Sequence, residues 1–281
     1  MTSSNAFPSA GISGAFDPAT WKTVQQFIQT AQHLPTSPNP AVEAILTKFQ
    51  TAGAAVNAGP VMDVSAAANS VYNLGQTMVS TLSAIAQVIA NGETSPLSQL
   101  VESLAADVKG PLGDVTRTST GLTTAVSAMS GAATSLRAEA VKVSSLVGAA
   151  NDNVASGAAS LKTLLTATPL DADKLDAAMD DIRTAAAKMS GQSFVGLSFD
   201  PKDGVAALQS AQAQMAACGK AFVTLRTAIQ DLINEIAKTP ADKLASLPQL
   251  QNDALTTASN EWGTVANDAH NFMLNVYVVA E

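Results

Sequence analysis

Residues Leu112–Leu164 read LGDVTRTSTGLTTAVSAMSGAATSLRAEAVKVSSLVGAANDNVASGAASLKTL. Alternating steps of three and four residues select an unbroken series of small and apolar positions: Leu112, Val115, Ser119, Leu122, Val126, Met129, Ala133, Leu136, Ala140, Val143, Val147, Ala150, Val154, Gly157, Leu161 and Leu164. A seam that repeats about every 3.5 residues keeps one stripe of a helix against its partners along the whole length. No proline interrupts it, so the pattern predicts one helix on the order of 80 Å long.

The fold class follows from three further segments with the same spacing, at 64–89, 208–236 and 255–276. The partners of the long helix are therefore expected within this chain rather than in a coiled-coil dimer. A globular domain of this size would be roughly 40–45 Å across, which is much shorter than the predicted helix. The sequence predicts an all-α fold, an elongated antiparallel bundle of long helices.

The local signals divide the chain as follows. Residues 1–16 are expected to form a flexible leader, and 190–202 a candidate head or tongue loop. No linker separates two cores, so 1–281 is predicted to be a single elongated helical-bundle domain. Prolines, glycines and N-cap residues predict helices at 19–34, 41–58, 63–91, 96–109 and 171–189. A further helix is predicted to start at Asp203, followed by a short helical turn between Pro240 and Pro248 and a last helix around 255–276.

The composition excludes several classes of protein. The net charge is −8, the pI is near 4.7, and no run of basic residues occurs. A protein that binds the nucleic-acid backbone needs clustered Lys and Arg, so no nucleic-acid partner is expected.

The single cysteine, Cys218, excludes an intrachain disulfide and is predicted to be a small packed hydrophobe. Met1–Trp21 has no basic residue and no apolar core, so no cleavable signal peptide is expected. No segment is apolar enough to be a constitutive membrane span.

Residues that could support catalysis do not cluster. His33 and His270 lie far apart and lack metal-ligand spacing; a contact with the helix dipole is expected for His33, and a packed or surface position for His270. Asp180 and Asp181 are adjacent on a helix and point apart, so they predict a solvated face. No phosphate-binding loop, dinucleotide fingerprint or nucleophile elbow is present. The sequence predicts a protein that is not an enzyme, with no catalytic, metal or cofactor-binding residues and no cofactor.

The helix predicted after Asp63 carries no charged residue before Glu93. Charges at mid-membrane cost about 2.5–3.5 kcal/mol on insertion scales, and this helix would incur no such cost. It is either the central helix of the bundle or an amphipathic helix whose polar face lines a pore. Its candidate membrane-insertion residues are Leu74, Met78, Val79, Leu82, Ile85, Val88 and Ile89.

A second candidate lies where the helical period is lost, at 193–199. Phe194, Val195, Leu197 and Phe199 alternate loosely with small residues, which fits a short strand or an apolar loop. This segment either caps the bundle or forms a small tongue that touches a membrane.

Two patterns near the ends of the chain resemble a known family. DPATWKTVQQFIQTAQHLP, at 17–35, and EWGTVANDAHNF, at 261–272, are similar to the first and last bundle helices of the α-helical pore-forming toxins. This family includes cytolysin A, the haemolysin BL and non-haemolytic enterotoxin components, and the xenorhabdolysin-type binary toxins. Members that insert usually carry a long apolar tongue; here 193–199 is short and 74–90 is partly polar.

The resemblance implies a pore-forming toxin or a component of a multi-part toxin. Such a protein would be secreted, would bind a target-cell membrane, and would rearrange and form homo- or hetero-oligomers with other toxin components. The short tongue favours a partner-dependent component, or a member that inserts an amphipathic helix. Low charge and high alanine content are also typical of a non-enzymatic helical scaffold or surface-coating protein, phasin-like or secreted, and this alternative stays open at the level of sequence.

Overall fold

A computed structural model describes residues 6–93, 95–166, 172–190 and 199–276. Within these ranges all regular secondary structure is helical, which confirms the predicted all-α class. The α-helices are α1 (Pro18–Gln32), α2 (Pro40–Ala58), α3 (Pro60–Ala90), α4 (Leu97–Asp107), α5 (Lys109–Leu165), α6 (Ala172–Ser190), α7 (Lys202–Lys238) and α8 (Asn252–Asn275). Short 3-10 helices occupy Ser13–Ala15, Ala241–Ser246 and Pro248–Leu250; the second lies within the turn predicted between Pro240 and Pro248, and the third follows that turn.

The helix ends lie close to the predicted positions because their signals are local. The Asp17 carboxylate accepts hydrogen bonds from the Ala19 and Thr20 amides at 3.3 and 3.1 Å and so caps α1. Asn39 caps α2 in the same way, through Ala41 N at 3.0 Å. Gly92 follows α3 with a φ of +71°, a left-handed conformation that favours glycine.

The start of α3 differs from the prediction by one turn. The sequence predicted that Asp63 opens this helix, but the helix begins at Pro60. The Gly59 carbonyl accepts hydrogen bonds from the amides of Met62 and Asp63, both at 2.9 Å. Proline has a helical φ and no amide to leave unsatisfied, so it is favoured in the first turn.

Helix α5 confirms the long seam. It contains 57 residues, which corresponds to about 85 Å. Every position of the predicted seam is buried or partly buried, and none is exposed. Full burial is most frequent from Val115 to Leu136, whereas beyond Val143 the seam is mostly partly buried.

The chain divides into two compact units. Unit 1 comprises Met1–Gln29, Gly53–Ser127 and Asp203–Glu281. Its helices run antiparallel in pairs. Val115 on α5 lies 3.8 Å from a methyl group placed at Gly219 on α7, and Gln212 of α7 donates a hydrogen bond to Thr123 of α5 at 3.1 Å. The positions that steps of three and four residues select on α7 and α8 are all buried: Leu208, Ala211, Met215, Cys218, Phe222, Leu225, Ile229, Leu232 and Ile236 on α7, and Leu255, Ala258, Trp262, Val265, Ala269, Phe272 and, just after the helix, Val276 on α8.

The N-terminal segment of unit 1 differs from the flexible leader expected over 1–16. Phe7, Ile12 and Phe16 are at most 3% exposed. The indole of Trp262 donates a hydrogen bond to the Phe7 carbonyl at 3.1 Å, and the ring of Phe16 lies edge-on to Phe272, with centroids 5.5 Å apart. The large apolar side chains of the segment Ala6–Phe16 are therefore part of the core, because they cover the aromatic residues of α8.

Unit 2 comprises Thr30–Ala52 and Ala128–Lys202. In it α6 packs against the second half of α5, where Gly157 permits a close approach: a methyl group there would lie 2.6 Å from Ile182 Cγ1. Ala178 and Ala185 of α6 are buried. Near the start of the unit, the Gln50 side-chain amide donates a hydrogen bond to the Leu34 carbonyl at 3.0 Å.

Candidate functional site

Helix α3, the first candidate for membrane insertion, lies along α8 in unit 1. Three points of contact set the register: the rings of Tyr72 and His270 lie 5.2 Å apart, Gly75 faces Ala266, and Val79 faces Gly263. Residue numbers rise along α3 as they fall along α8, so the two helices are antiparallel.

Gly75 is the point of closest approach between these helices. A methyl group at this position would lie 2.8 Å from Ala266 Cβ and 3.1 Å from the Trp262 carbonyl oxygen. Side-chain Cβ atoms in proteins essentially never come within 3 Å of such neighbours. Glycine is therefore required for the two backbones to approach this closely.

The predicted insertion residues of α3 are covered. Leu74, Met78, Leu82 and Ile85 are at most 3% exposed. Val79, Val88 and Ile89 are partly buried. Burial of one such side chain contributes about 1.5–3 kcal/mol, so the four fully buried ones contribute on the order of 6–12 kcal/mol. Separation of α3 from its neighbours would lose this contribution unless another apolar medium replaced them.

The outer side of α3 carries a polar stripe that the sequence analysis did not single out. Its exposed members follow the same steps of three and four residues as the seam, displaced around the helix: Asn73, Gln76, Ser80, Ser83 and Gln87. All are uncharged. The spacing in the sequence carries this signal: a polar face was predicted as one alternative for this helix, but without its residues. Helix α3 thus has one apolar face and one neutral polar face.

The second candidate is described only at its end. Phe194, Val195 and Leu197 lie outside the described residues. Phe199 is partly buried, and its ring lies edge-on to that of Phe49 in unit 2, with centroids 5.2 Å apart and an interplanar angle of 83°. Its aromatic side chain is thus engaged with another ring.

The remaining candidate groups, the cysteine and the two histidines, differ in exposure. Cys218 is fully buried, as predicted, and burial raises the pKa of its thiol to about 12. His33 and His270 are both exposed. Across the described ranges, no group of three His, Cys, Asp or Glu side chains could hold a metal ion. No described helix combines the length and hydropathy needed to cross a membrane.

Solved structures of toxin components are similar to this chain over most of its length. The HblL1 toxin component of Bacillus cereus matches with a TM-score of 0.64 at 11% identity, over 97% of this chain and 98% of that one. The soluble AhlC triple head mutant, from the tripartite α-pore-forming toxin AHL of Aeromonas hydrophila, matches with a TM-score of 0.52 at 18% identity, over 89% and 97%. XaxA of Xenorhabdus nematophila matches with a TM-score of 0.53 at 10% identity, over 93% and 97%.

No protein-family model and no curated protein matches the sequence. At identities of 10–18% the likeness concerns the fold. The matches cover both units and nearly the full length of the solved chains. The chain has the fold of the α-pore-forming toxin components.

Proposed function

We propose that this protein is a component of a multi-part α-helical pore-forming toxin. In this proposal it is secreted, binds a target-cell membrane, rearranges there and assembles into homo- or hetero-oligomers with other toxin components. It performs no enzymatic reaction. The observation that carries the proposal is the match to the HblL1 toxin component over 97% of this chain. The tripartite nature of the toxin that contains AhlC supports a need for partners.

Helix α3 is the proposed membrane-active element. Its buried apolar face would turn to lipid, and its neutral polar face would turn to water in a pore. The absence of charge between Asp63 and Glu93 supports this role, because no charged side chain would have to enter the membrane. Lipid would then replace the apolar burial that the packing against α8 now provides.

The first experiment tests the activity. Dye-loaded liposomes and whole cells are exposed to the protein alone and together with the products of adjacent genes. Dye release or lysis with at least one combination is expected. If no combination permeabilises any membrane, and the protein forms a stable oligomer whose protease sensitivity lipids do not alter, the scaffold function replaces this proposal.

The second experiment tests the role of α3. Val79 Cγ2 lies 3.9 Å from a methyl group placed at Gly263, so Val79→Cys with Gly263→Cys can form a disulfide after a small shift. The native Cys218 is buried and does not compete. The oxidised protein should release no dye, and reduction should restore release.

The control for this lock is the Gly263→Cys single variant, treated with the same oxidant and reductant. Its activity should not respond to either. Equal dye release from the oxidised and reduced forms of the double variant would mean that α3 stays on α8 during pore formation.

A further inference from the structure

A polar groove lies between α5 and α6, within unit 2. Its volume is about 320 Å³, at the lower end of the range for small-molecule sites. Gly157, Ala178 and Ala185 form its floor, and these small residues let the two helix backbones approach without a large side chain between them. The groove is distinct from the α3–α8 contact, which lies in unit 1.

The walls of this groove carry hydrogen-bond donors and acceptors, including one acidic and one basic side chain: Asn153, Ser156, Ser160, Asp181, Thr184 and Lys188. None of these six side chains makes a hydrogen bond or ion pair with another residue in the described part of the chain. Other α5 hydroxyls behave differently. Thr134 and Thr163 each donate to the carbonyl four residues earlier, at 3.0 Å. The groove side chains are therefore free to bind a ligand.

The two charges of the groove are spaced for a ligand that carries both signs. Asp181 and Lys188 are seven residues apart, so they lie on one face of α6, about 10 Å apart along its axis. This rise separates the two backbone positions; because the Lys188 side chain is long and flexible, the pair can bridge a ligand whose charges lie about 4–5 Å apart, through charge-assisted hydrogen bonds of about 3 Å each. Hydroxyl and amide groups from α5 line the same groove.

We infer that this groove binds a phosphoethanolamine group, as carried by phosphatidylethanolamine at a membrane surface. The primary ammonium donates hydrogen bonds to the carboxylate of Asp181, and the phosphate accepts from Lys188 Nζ and from the hydroxyl of Thr184. Among the residues that the structure describes, no aromatic side chain lines the groove. Proteins that recognise quaternary ammonium groups surround them with aromatic rings, so choline is disfavoured. This inference specifies the membrane of the proposed function and rests on it for its biological setting.

The test measures flotation of the full-length protein with vesicles. Vesicles of phosphatidylcholine alone are compared with vesicles that also contain phosphatidylethanolamine. We expect binding to be about tenfold tighter with phosphatidylethanolamine, since one charge-assisted hydrogen bond in an exposed groove corresponds to about that factor. Asp181→Asn should abolish this preference, because only the ammonium differs between the two lipids, whereas Lys188→Gln should weaken binding to both mixtures, because both lipids carry the phosphate.

The matched controls make the same charge changes outside the groove. Asp180→Asn alters the neighbouring residue, which pairs with Arg183 at 2.9 Å, and Lys162→Gln alters an exposed lysine of α5. Both should keep the preference. Equal binding of the two lipid mixtures, or equal effects of Asp181→Asn and Asp180→Asn, would overturn the inference.

A soluble probe separates the headgroup from the bilayer. O-Phosphoethanolamine should shift the NMR amide signals of the groove and compete with vesicle binding, whereas phosphocholine should need about a tenfold higher concentration for the same effects. The absence of any shift would also overturn the inference. The two proposals fail separately: a protein that prefers phosphatidylethanolamine but never releases dye loses only the pore-forming function, and one that releases dye without the preference loses only the headgroup site.

Discussion

The contact at Gly75 allows the packing of α3 on α8 to be tested directly. Gly75→Ala places a methyl group 2.8 Å from Ala266 Cβ, 3.1 Å from the Trp262 oxygen and 3.2 Å from Ala266 Cα. Two of these neighbours are backbone atoms, which cannot rotate away, so the helices must move apart. Overpacking of this kind costs about 1–3 kcal/mol, and here the upper half of the range applies.

The propensity of alanine for helix offsets part of this cost. Alanine is better than glycine in a helix interior by about 1 kcal/mol. The free energy of unfolding should therefore fall by about 1–2 kcal/mol in Gly75→Ala, as measured by urea denaturation followed by circular dichroism.

Gly263→Ala provides the matched control on the same interface. The added methyl group meets only Val79 Cγ2, at 3.9 Å, which is ordinary contact. This variant should be more stable than the parent by about 0.5–1 kcal/mol. In a double-mutant cycle, Ala266→Gly should cost less stability in the Gly75→Ala background than in the parent, because it removes the nearest of the three atoms. If Gly75→Ala is as stable as Gly263→Ala, the close approach of α3 and α8 is not the constraint described.

Three further predictions concern single groups. Trp262→Phe leaves the buried Phe7 carbonyl without its hydrogen-bond donor at 3.1 Å. The free energy of unfolding should fall by about 1–3 kcal/mol, and proteolysis of the N-terminal segment should become faster. Ser9→Ala, which loses a part-buried hydrogen bond to Glu261, should have a smaller effect. The hydrogen bond from the Thr20 hydroxyl, with the amides of Thr20 and Ala19, lowers the pKa of Asp17. Its stabilisation is then present above the unfolded pKa of about 3.9 and is lost as pH falls through the folded value. Asp17→Ala should thus lose about 1 kcal/mol at pH 7 and less at about pH 3, and an equal loss at both would contradict the capping role. Burial raises the pKa of the Cys218 thiol to about 12. This thiol should therefore not react with a disulfide reagent at about pH 8 until urea unfolds the protein. Rapid labelling of the native protein would show that the α7 seam opens.

Several elements were predictable because their causes are local in the sequence. Asp17 and Asn39 cap helices through amides two or three residues away, and Gly92 takes the left-handed conformation just after α3. The seams of α5, α7 and α8 were also predictable, since spacing alone decides which side chains share a face of a helix.

The pairing of the helices was decided only in three dimensions. Four helices share the same seam spacing, so the sequence cannot tell which seam meets which. The structure pairs α3 with α8 and α5 with α7, and it does so where small residues such as Gly75 and Gly219 face the partner helix. Residues Ala6–Phe16 were missed because a few apolar side chains without a period give no pattern to recognise.

The sequence by itself thus determined the helices, their buried faces and the absence of charge in α3. Tertiary structure alone decided that α3 is held against α8 through Gly75. It alone brought Asn153 and Lys188 to one groove, although 35 positions separate them in the chain. The physical reason is that hydrogen bonds within a helix join residues four apart, whereas packing joins residues at any separation along the chain. The spacing of apolar residues therefore predicts which face of a helix is buried, but it does not predict which helix packs there or how closely the two helices approach.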